Sequence, residues 1–452
     1  MLKFRWETEF RETEIGEIPR DWGVRKLGNA LRILESGNRP RGGVLAHNPN
    51  GVLSIGGENI NWDGSLELDD CLRFNESFYD SLRKGKIEVG DVLLVKDGAT
   101  IGKLAYISRV PEERAMVNEH VFLLKTDPAK FDSRFLFYFL FSEVGQQQIE
   151  GSISGSAQGG INKTILDDIL VFYPPLSQQS RIATVLSWFD DLIENKRRQN
   201  EILEKTAMAI FKSWFIDFEP FRACPERERG NYEFVYNEEL GKEIPKGWEV
   251  KRLGEVVKTF KGISYKSAEK YQEYIEGGYI FITLDNFVRG GGFKTEYSWI
   301  KSERIKPSHL VREGDLIIAL TDMTQNTQVV GAPAIVILPN GFDGGVISLD
   351  CMKIESIVEN LKYYLYMFLK DTQEDNSTFA NGVNVLHLMV NNFLTGKIIF
   401  IPPPHILQSF HSLIEPLFQK IILNQKQIMT LRKIRDTLLP LLVFGKLRVE
   451  EI

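Results

Sequence analysis

The amino-acid sequence predicts an α+β protein: two copies of one α/β domain, separated by two long antiparallel helices that form a coiled coil with pseudo-two-fold symmetry. Three observations predict it. The 452-residue chain spells IPRDWGVRKLG at 18–28 and IPKGWEVKRLG at 244–254, with six of eleven positions identical and three more exchanging Lys for Arg; internal repetition of this kind sets an architecture before any local reading does. Each copy opens a series of short apolar runs broken by Gly, Asn and Asp, which are strand and turn signals. Each series ends in a long stretch of apolar residues three or four apart, the pattern of one helix face.

The first domain, residues 1–174, runs through GVLSIGG, GDVLLVKDGATIGKLAYI and VFLLK as strands and turns. The aromatic stretch SRFLFYFLFSEVGQQQIE then has helical length, GSISGSAQGGINK reads as a polar loop, and a last apolar run ends at Pro174 and Pro175. The second domain, 244–402, keeps the order: EGDLIIALTD echoes VGDVLLVKDG, NLKYYLYMFLKD echoes the aromatic stretch, NSTFANGVN is the polar loop, and IIFIPPP closes it. The spacing keeps pace, at 155 residues from Pro19 to Pro174 and 157 from Pro245 to Pro402. Between the domains lie a first long helix at 175–218 and a charged, aperiodic connection at 219–243; a second long helix and tail occupy 403–452. The stripe of the first helix is Ile182, Leu186, Phe189, Ile193, Leu203, Ala207, Ile210 and Trp214. That of the second is Phe410, Leu413, Leu417, Ile421, Ile428, Leu431, Ile434, Leu438 and Leu441. At ~1.5 Å per residue each helix is a rod of roughly 60 Å, and two such stripes bury against each other. Paired antiparallel, they place the domains at opposite ends of the rod.

Composition excludes several classes. The apolar runs FLFYFLF and LLPLLVF are too short to span a bilayer, and the amino terminus is charged from its third residue, which predicts a cytoplasmic protein with no membrane contact. Three cysteines without CxxC spacing argue against a disulfide framework or a zinc site. Net charge is -6, and the segment with the largest basic excess, 403–452, holds only 7 Lys+Arg against 4 Asp+Glu, so charge alone does not mark a nucleic-acid binder. DGATIGK at 97–103 is one residue short of a phosphate loop and lacks its Ser or Thr, so it reads as a turn between strands. The six histidines form no ligand pair, FYPPL lacks the flanking residues of an amino-methyltransferase motif, and Glu194 with Lys196 lies on a helix rather than in a nuclease sheet. Together these absences favour a binding protein over an enzyme.

The paired IPxxWxVxxLG openings, the GGINK loop, the PPL helix start, FKSWFIDFEPF at 211–221 and LRKIRDTLLPLLVFGKLRV at 431–449 together resemble the specificity subunit of type I restriction-modification systems, over nearly the whole chain. The resemblance implies two target recognition domains, each reading one half of a bipartite, asymmetric site in double-stranded DNA, with the helices setting the gap. It implies partners: two methylation subunits that bind S-adenosylmethionine and methylate adenine, and restriction subunits that use ATP and magnesium, with no cofactor and no catalytic residue in this chain. The rival binding reading is a two-headed coiled-coil scaffold that holds proteins rather than DNA.

Bases are read by Arg, Lys, Asn, Gln and Asp, and phosphates position the reader. In the first domain the candidates are Arg39 and Arg41 in GNRPRGG, Lys96 and Lys103 around DGATIGK, and Ser156, Gln158, Asn162 and Lys163 in GSAQGGINK. In the second they are Lys261 and Lys266, then Thr324, Gln325, Asn326 and Gln328 in TDMTQNTQ, and Asn381 and Asn384 in NGVN. The aromatic cluster Phe211, Trp214, Phe215 and Phe218 offers more surface than one helical seam needs, which points to docking of a methylation subunit or to packing against its own domain.

Overall fold

The computed structural model describes residues 2–69, 71–153, 159–222, 232–323 and 327–451. The chain divides into two compact units, Met1–Asp191 with Arg432–Ile452, and Leu192–Leu431. The long helices, Leu176–Phe215 and Pro404–Val443, are 40 residues each and contribute to both units. The first unit therefore contains the start of the first helix with the end of the second, and the second unit contains the reverse.

In the first unit a four-stranded antiparallel sheet runs in the order Leu31–Ser36, Val121–Thr126, Val92–Val95, Leu104–Tyr106. VLLV is buried at every position, which is why the run is apolar throughout instead of alternating. A second sheet joins Val52–Ile55 in parallel to Ala115–Val117 and antiparallel to Leu72–Phe74. The second unit repeats the first sheet as Val257–Lys261, Cys351–Ser356, Leu316–Ala319, Pro333–Ile335. It repeats the parallel pair as Tyr279–Ile282 with Gly345–Ile347. The echoed Gly-Asp has one job in both: the Asp91 carboxylate accepts the Glu88 amide at 2.7 Å and the Asp315 carboxylate accepts the Arg312 amide at 2.8 Å, closing the turn that enters the central strand.

The aromatic stretch forms two helices, Ser133–Phe141 and Glu143–Gly151, where the spacing predicted one. Ser142 breaks it: its backbone is extended and its hydroxyl caps the second helix on the Gly145 amide. Asp132 caps the first by accepting from the Arg134 and Phe135 amides. The counterpart is Lys362–Asp371 followed by Gln373–Ser377. Each of these helices carries a tyrosine that bonds the first long helix, from neighbouring rather than equivalent positions of the repeat, since Leu140 matches Leu369. Tyr138 donates to Asp190 at 2.5 Å in the first unit, and Tyr366 donates to Glu204 at 2.9 Å in the second.

The repeated opening motif does two things in each unit. Its strand pairs antiparallel with the closing strand, Gly23–Lys26 with Leu170–Tyr173 and Glu249–Arg252 with Ile398–Ile401. Its tryptophan receives the end of a long helix. Trp22, 2% exposed, hydrogen-bonds Gln178 at 3.2 Å, and a side chain at Gly445, just past the second helix, would lie 2.5 Å from Pro19. Arg448 then grips Asp21 bidentately at 2.8 and 2.7 Å. In the second unit Trp248 packs on Phe215, Phe218, Phe221 and Phe400 with ring centroids 5.3 to 5.8 Å apart. A helix end that must be held twice explains a motif spelled twice.

Two expectations change. The second helix buries Ile414, Phe418 and Ile422 and exposes Leu413, because apolar residues stand side by side there and periodicity cannot choose between neighbouring stripes. Tyr363, stacked on Phe418 at 4.8 Å, makes the choice. The connection at 219–243 is partly folded: Phe221 is buried and Phe234–Asn237 pairs with Lys242–Pro245. Within the second unit the two long helices also meet through buried amides, with Asn424 donating to Asn200 at 2.9 Å, a polar contact that favours one register. Among the described residues no helix is long and apolar enough to cross a membrane.

Candidate nucleic-acid interface

In the first unit three segments converge where the central strands end. Lys96 follows the strand Val92–Val95, His120 precedes Val121–Thr126, and Arg39 lies beyond Leu31–Ser36. Adjacent strands fix them together, since the Lys96 amide donates to the His120 carbonyl at 3.0 Å. The side chains then form one network. Arg39 pairs with Glu119 at 2.6 Å and approaches the His120 ring at 3.4 Å; the other ring nitrogen lies 2.5 Å from Asp97, which also receives Lys96 at 2.7 Å. Burial pushes the Asp97 carboxyl up, but the hydrogen bonds from Lys96 and His120 outweigh it and hold the group below its ordinary value.

The polar loop returns onto this network. Ile161 donates its amide to the Lys96 carbonyl at 2.8 Å, and Asp97 bridges Gly160. Asn162 caps the helix Lys163–Asp168 by accepting the Ile165 amide at 2.8 Å, which occupies its oxygen locally, and Lys163 is exposed beside it. Lys103 sits half-buried in the turn opposite Val95, and Arg41 is exposed two residues from Arg39. Ser156 and Gln158 lie outside the described residues.

The second unit builds the same junction from different chemistry. The Leu320 amide donates to the Asp350 carbonyl at 2.7 Å and Leu388 donates to the Leu320 carbonyl at 2.7 Å, so Leu320, Asp350 and Leu388 stand where Lys96, His120 and Ile161 stand in the first. The side-chain link is Thr321 to Asp350 at 2.9 Å. Here the loop is a hairpin: Ala380–Asn381 pairs with Leu386–Leu388, which pairs in turn with Thr321–Asp322. Asn381 and Asn384 are exposed on it. Lys261, exposed, stands in register with Met352 next to this junction. Lys266 is exposed at a turn anchored by Glu269, which accepts the Lys266 amide and the Ser302 hydroxyl and pairs with Arg304.

The TDMTQNTQ segment is pinned at both sides. Buried Asp322 accepts the Val329 and Val330 amides at 2.8 and 3.2 Å, and Gln373 donates to the Thr327 and Val330 carbonyls at 2.9 Å. Thr324, Gln325 and Asn326 lie outside the described residues. Gln328 is half-buried, and its side-chain oxygen is buried and without a partner among the described residues.

The aromatic cluster is corrected. Phe211, Phe215 and Phe218 are at most 1% exposed, packed with Tyr364, Phe400, Phe410 and Trp248. Trp214 is half-buried against Phe221 and Phe410. The excess of rings that suggested a partner is consumed where helix end, opening motif and closing strand meet in the second unit.

Arg39, Lys96 and Asn162 were legible as polar residues in glycine-rich turns. Asp97, Glu119, His120, Thr321 and Asp350 were not singled out, although they flank the very strands whose echo revealed the repeat. Aligning the two copies at those strand ends would have exposed them. Among the described residues no group of His, Cys, Asp and Glu is arranged to hold a metal ion.

The site is thus of the binding kind: a duplicated scaffold whose equivalent edges carry different polar groups. The model of the type I restriction modification DNA specificity domain matches residues 19–205 and 245–433, and the chain belongs to that family. The type I restriction enzyme MjaIX specificity subunit of Methanocaldococcus jannaschii is 35% identical over 467 residues, covering 100% of this chain and 99% of the relative. The MjaVIII specificity subunit of the same organism is 24% identical, with 100% and 99% covered. A crystal structure of a type I restriction-modification system S subunit from M. genitalium shares the fold, with a TM-score of 0.50 at 16% identity over 93% of this chain and 96% of that one. The chain is a specificity subunit, the non-catalytic part of such a system that recognises DNA sequence, and it acts with other subunits.

Proposed function

We propose that each unit reads one half of a bipartite, asymmetric site in double-stranded DNA through the junction described above, and that the long helices set the unread spacer between the halves. The observation that supports this reading is the contrast between equivalent edges. A repeated four-stranded sheet carries Arg39, Lys96 and His120 beside its strand ends in one unit and Asp350 and the Asn381–Asn384 hairpin in the other. The overall charge of -6 does not oppose DNA binding, because the cations that matter are those local to the junction.

The partners are two methylation subunits carrying S-adenosylmethionine for transfer to adenine N6, and restriction subunits using ATP and magnesium, all in the cytoplasm. Co-expressing the chain with its methylation subunit and mapping methylated adenines by single-molecule sequencing tests the reading. One bipartite motif with a fixed gap and one modified adenine per strand is expected; a stable complex that yields no motif would return the protein-scaffold reading. Inserting seven residues, two helical turns, into each long helix is expected to lengthen the gap and leave both half-sites unchanged. New half-site bases with an unchanged gap would remove the ruler.

A further inference from the structure

The second unit carries a side chain at its proposed DNA edge that polar readout does not explain. Val383 sits at the tip of the 380–388 hairpin and is 94% exposed, between exposed Asn381 and Asn384. The tip is a closed turn: Gly382 has φ +145° and a side chain there would lie 2.0 Å from the Val385 carbonyl oxygen. Below it the ribbon is anchored, since Leu388 is buried and bonded to Leu320, and Met389 donates to the Phe379 carbonyl at 3.0 Å. Met323, following the neighbouring ribbon strand, is 75% exposed. A β-branched apolar residue gains nothing in a turn, and a single exposed one is ordinary. Here it stands between two exposed amides in sequence, at the tip of a two-stranded ribbon, an element the major groove admits. The first unit's loop, GSISGSAQGG, has no bulky apolar residue beyond Ile153.

We infer that Val383 is a specificity residue that contacts the 5-methyl group of a thymine in the major groove, with Asn381 or Asn384 hydrogen-bonding an adenine beside it. This rests on the half-site reading above and goes further by assigning an A·T pair to the second unit's half-site. Among the four bases only thymine offers an apolar group in that groove, and an amide is the side chain that grips adenine through N6 and N7. The contact includes no bond-making step.

The test uses the complex with its methylation subunit, once its motif is mapped. Each thymine of the second unit's half-site is replaced in turn by uracil, which removes only the methyl, and duplex affinity is measured for the wild type and Val383→Ser. One replacement is expected to weaken the wild type about three- to tenfold, the worth of one buried methyl contact. Val383→Ser is expected to bind the thymine duplex as weakly as the wild type binds the uracil one and to be indifferent to the exchange. Half-site 1 replacements and the melting temperature serve as controls for folding. A half-site without thymine, a wild type indifferent to every uracil, or a Val383→Ser loss equal on both duplexes would each overturn the inference while leaving the half-site reading intact. Failure of the complex to give any motif removes both.

Discussion

The two units share the backbone of one four-stranded sheet and differ in charge at the ends of its strands. Where the first sets Lys96, Asp97 and His120, the second sets Leu320, Thr321 and Asp350, at positions matched bond for bond by the amide-to-carbonyl links that join each pair of strands. The first edge is a chain of ion pairs; the second is a neutral hydroxyl on one carboxylate with an amide-bearing hairpin above it. Duplication followed by divergence at these strand ends shows that the backbone links there are scaffold and the side chains are not.

The largest expected effect tests the shared part. Gly37 and Gly262 occupy the same point of the repeat, and an added side chain would lie 1.6 Å from the Val117 carbonyl oxygen in one unit and 2.1 Å from the Ser348 carbonyl oxygen in the other. Neither obstacle is a flexible side chain, so backbone must move. Gly37→Ala and Gly262→Ala are each expected to destabilise their own unit by about 3 kcal/mol or more, at the upper end of overpacking costs. Chemical denaturation with unit-specific probes checks it. If one substitution is tolerated, the two edges are not built alike and the comparison fails at its base.

A middle-sized effect tests the divergent part. Arg39→Ala and Lys96→Ala are expected to weaken DNA binding about tenfold or more and to relax or lose selectivity in one half-site only, as base-reading or phosphate-positioning cations do. Affinity across variant duplexes at two salt concentrations separates the roles: a cation on phosphate lowers the salt slope by about one, and one on a base changes which sequence is preferred.

Most of the architecture was legible because it is written in period and repetition. The stripe of Ile182, Leu186 and Ile193 is buried as its spacing predicted, and Val92–Val95 is a strand as its continuous apolar run predicted. What stayed hidden needed a partner from far along the chain. The choice of Phe418 over Leu417 depends on Tyr363, and the burial of Phe215 depends on Trp248, Tyr364 and Phe410, none of which is near it in sequence. The junction was half visible for the same reason. Arg39 and Lys96 stood out in turns, whereas Asp97 and His120 acquire meaning only when antiparallel strands bring residues 23 apart to 2.5 Å.

The smallest effect follows from that contact. Asp97 is held below its ordinary value by Lys96 and His120 against the opposing pull of burial, whereas Thr321 at the equivalent point does not titrate. A carboxyl lowered in the folded state contributes stability that is present above its unfolded value, about 3.9, and lost as pH falls through the lower folded value. With the side chain 29% exposed, solvent screening keeps the contribution to about 1 kcal/mol at most. Wild type and Asp97→Asn should therefore differ in stability at pH 7 and converge below pH ~4. The amide of Ile161, which anchors the returning loop on Lys96, should exchange with solvent faster in the variant, and the Leu388 amide of the second unit should not respond. Equal acceleration of both amides would mean that the ion pairs do not anchor the first loop. The electrostatic contrast between the edges would then concern DNA alone.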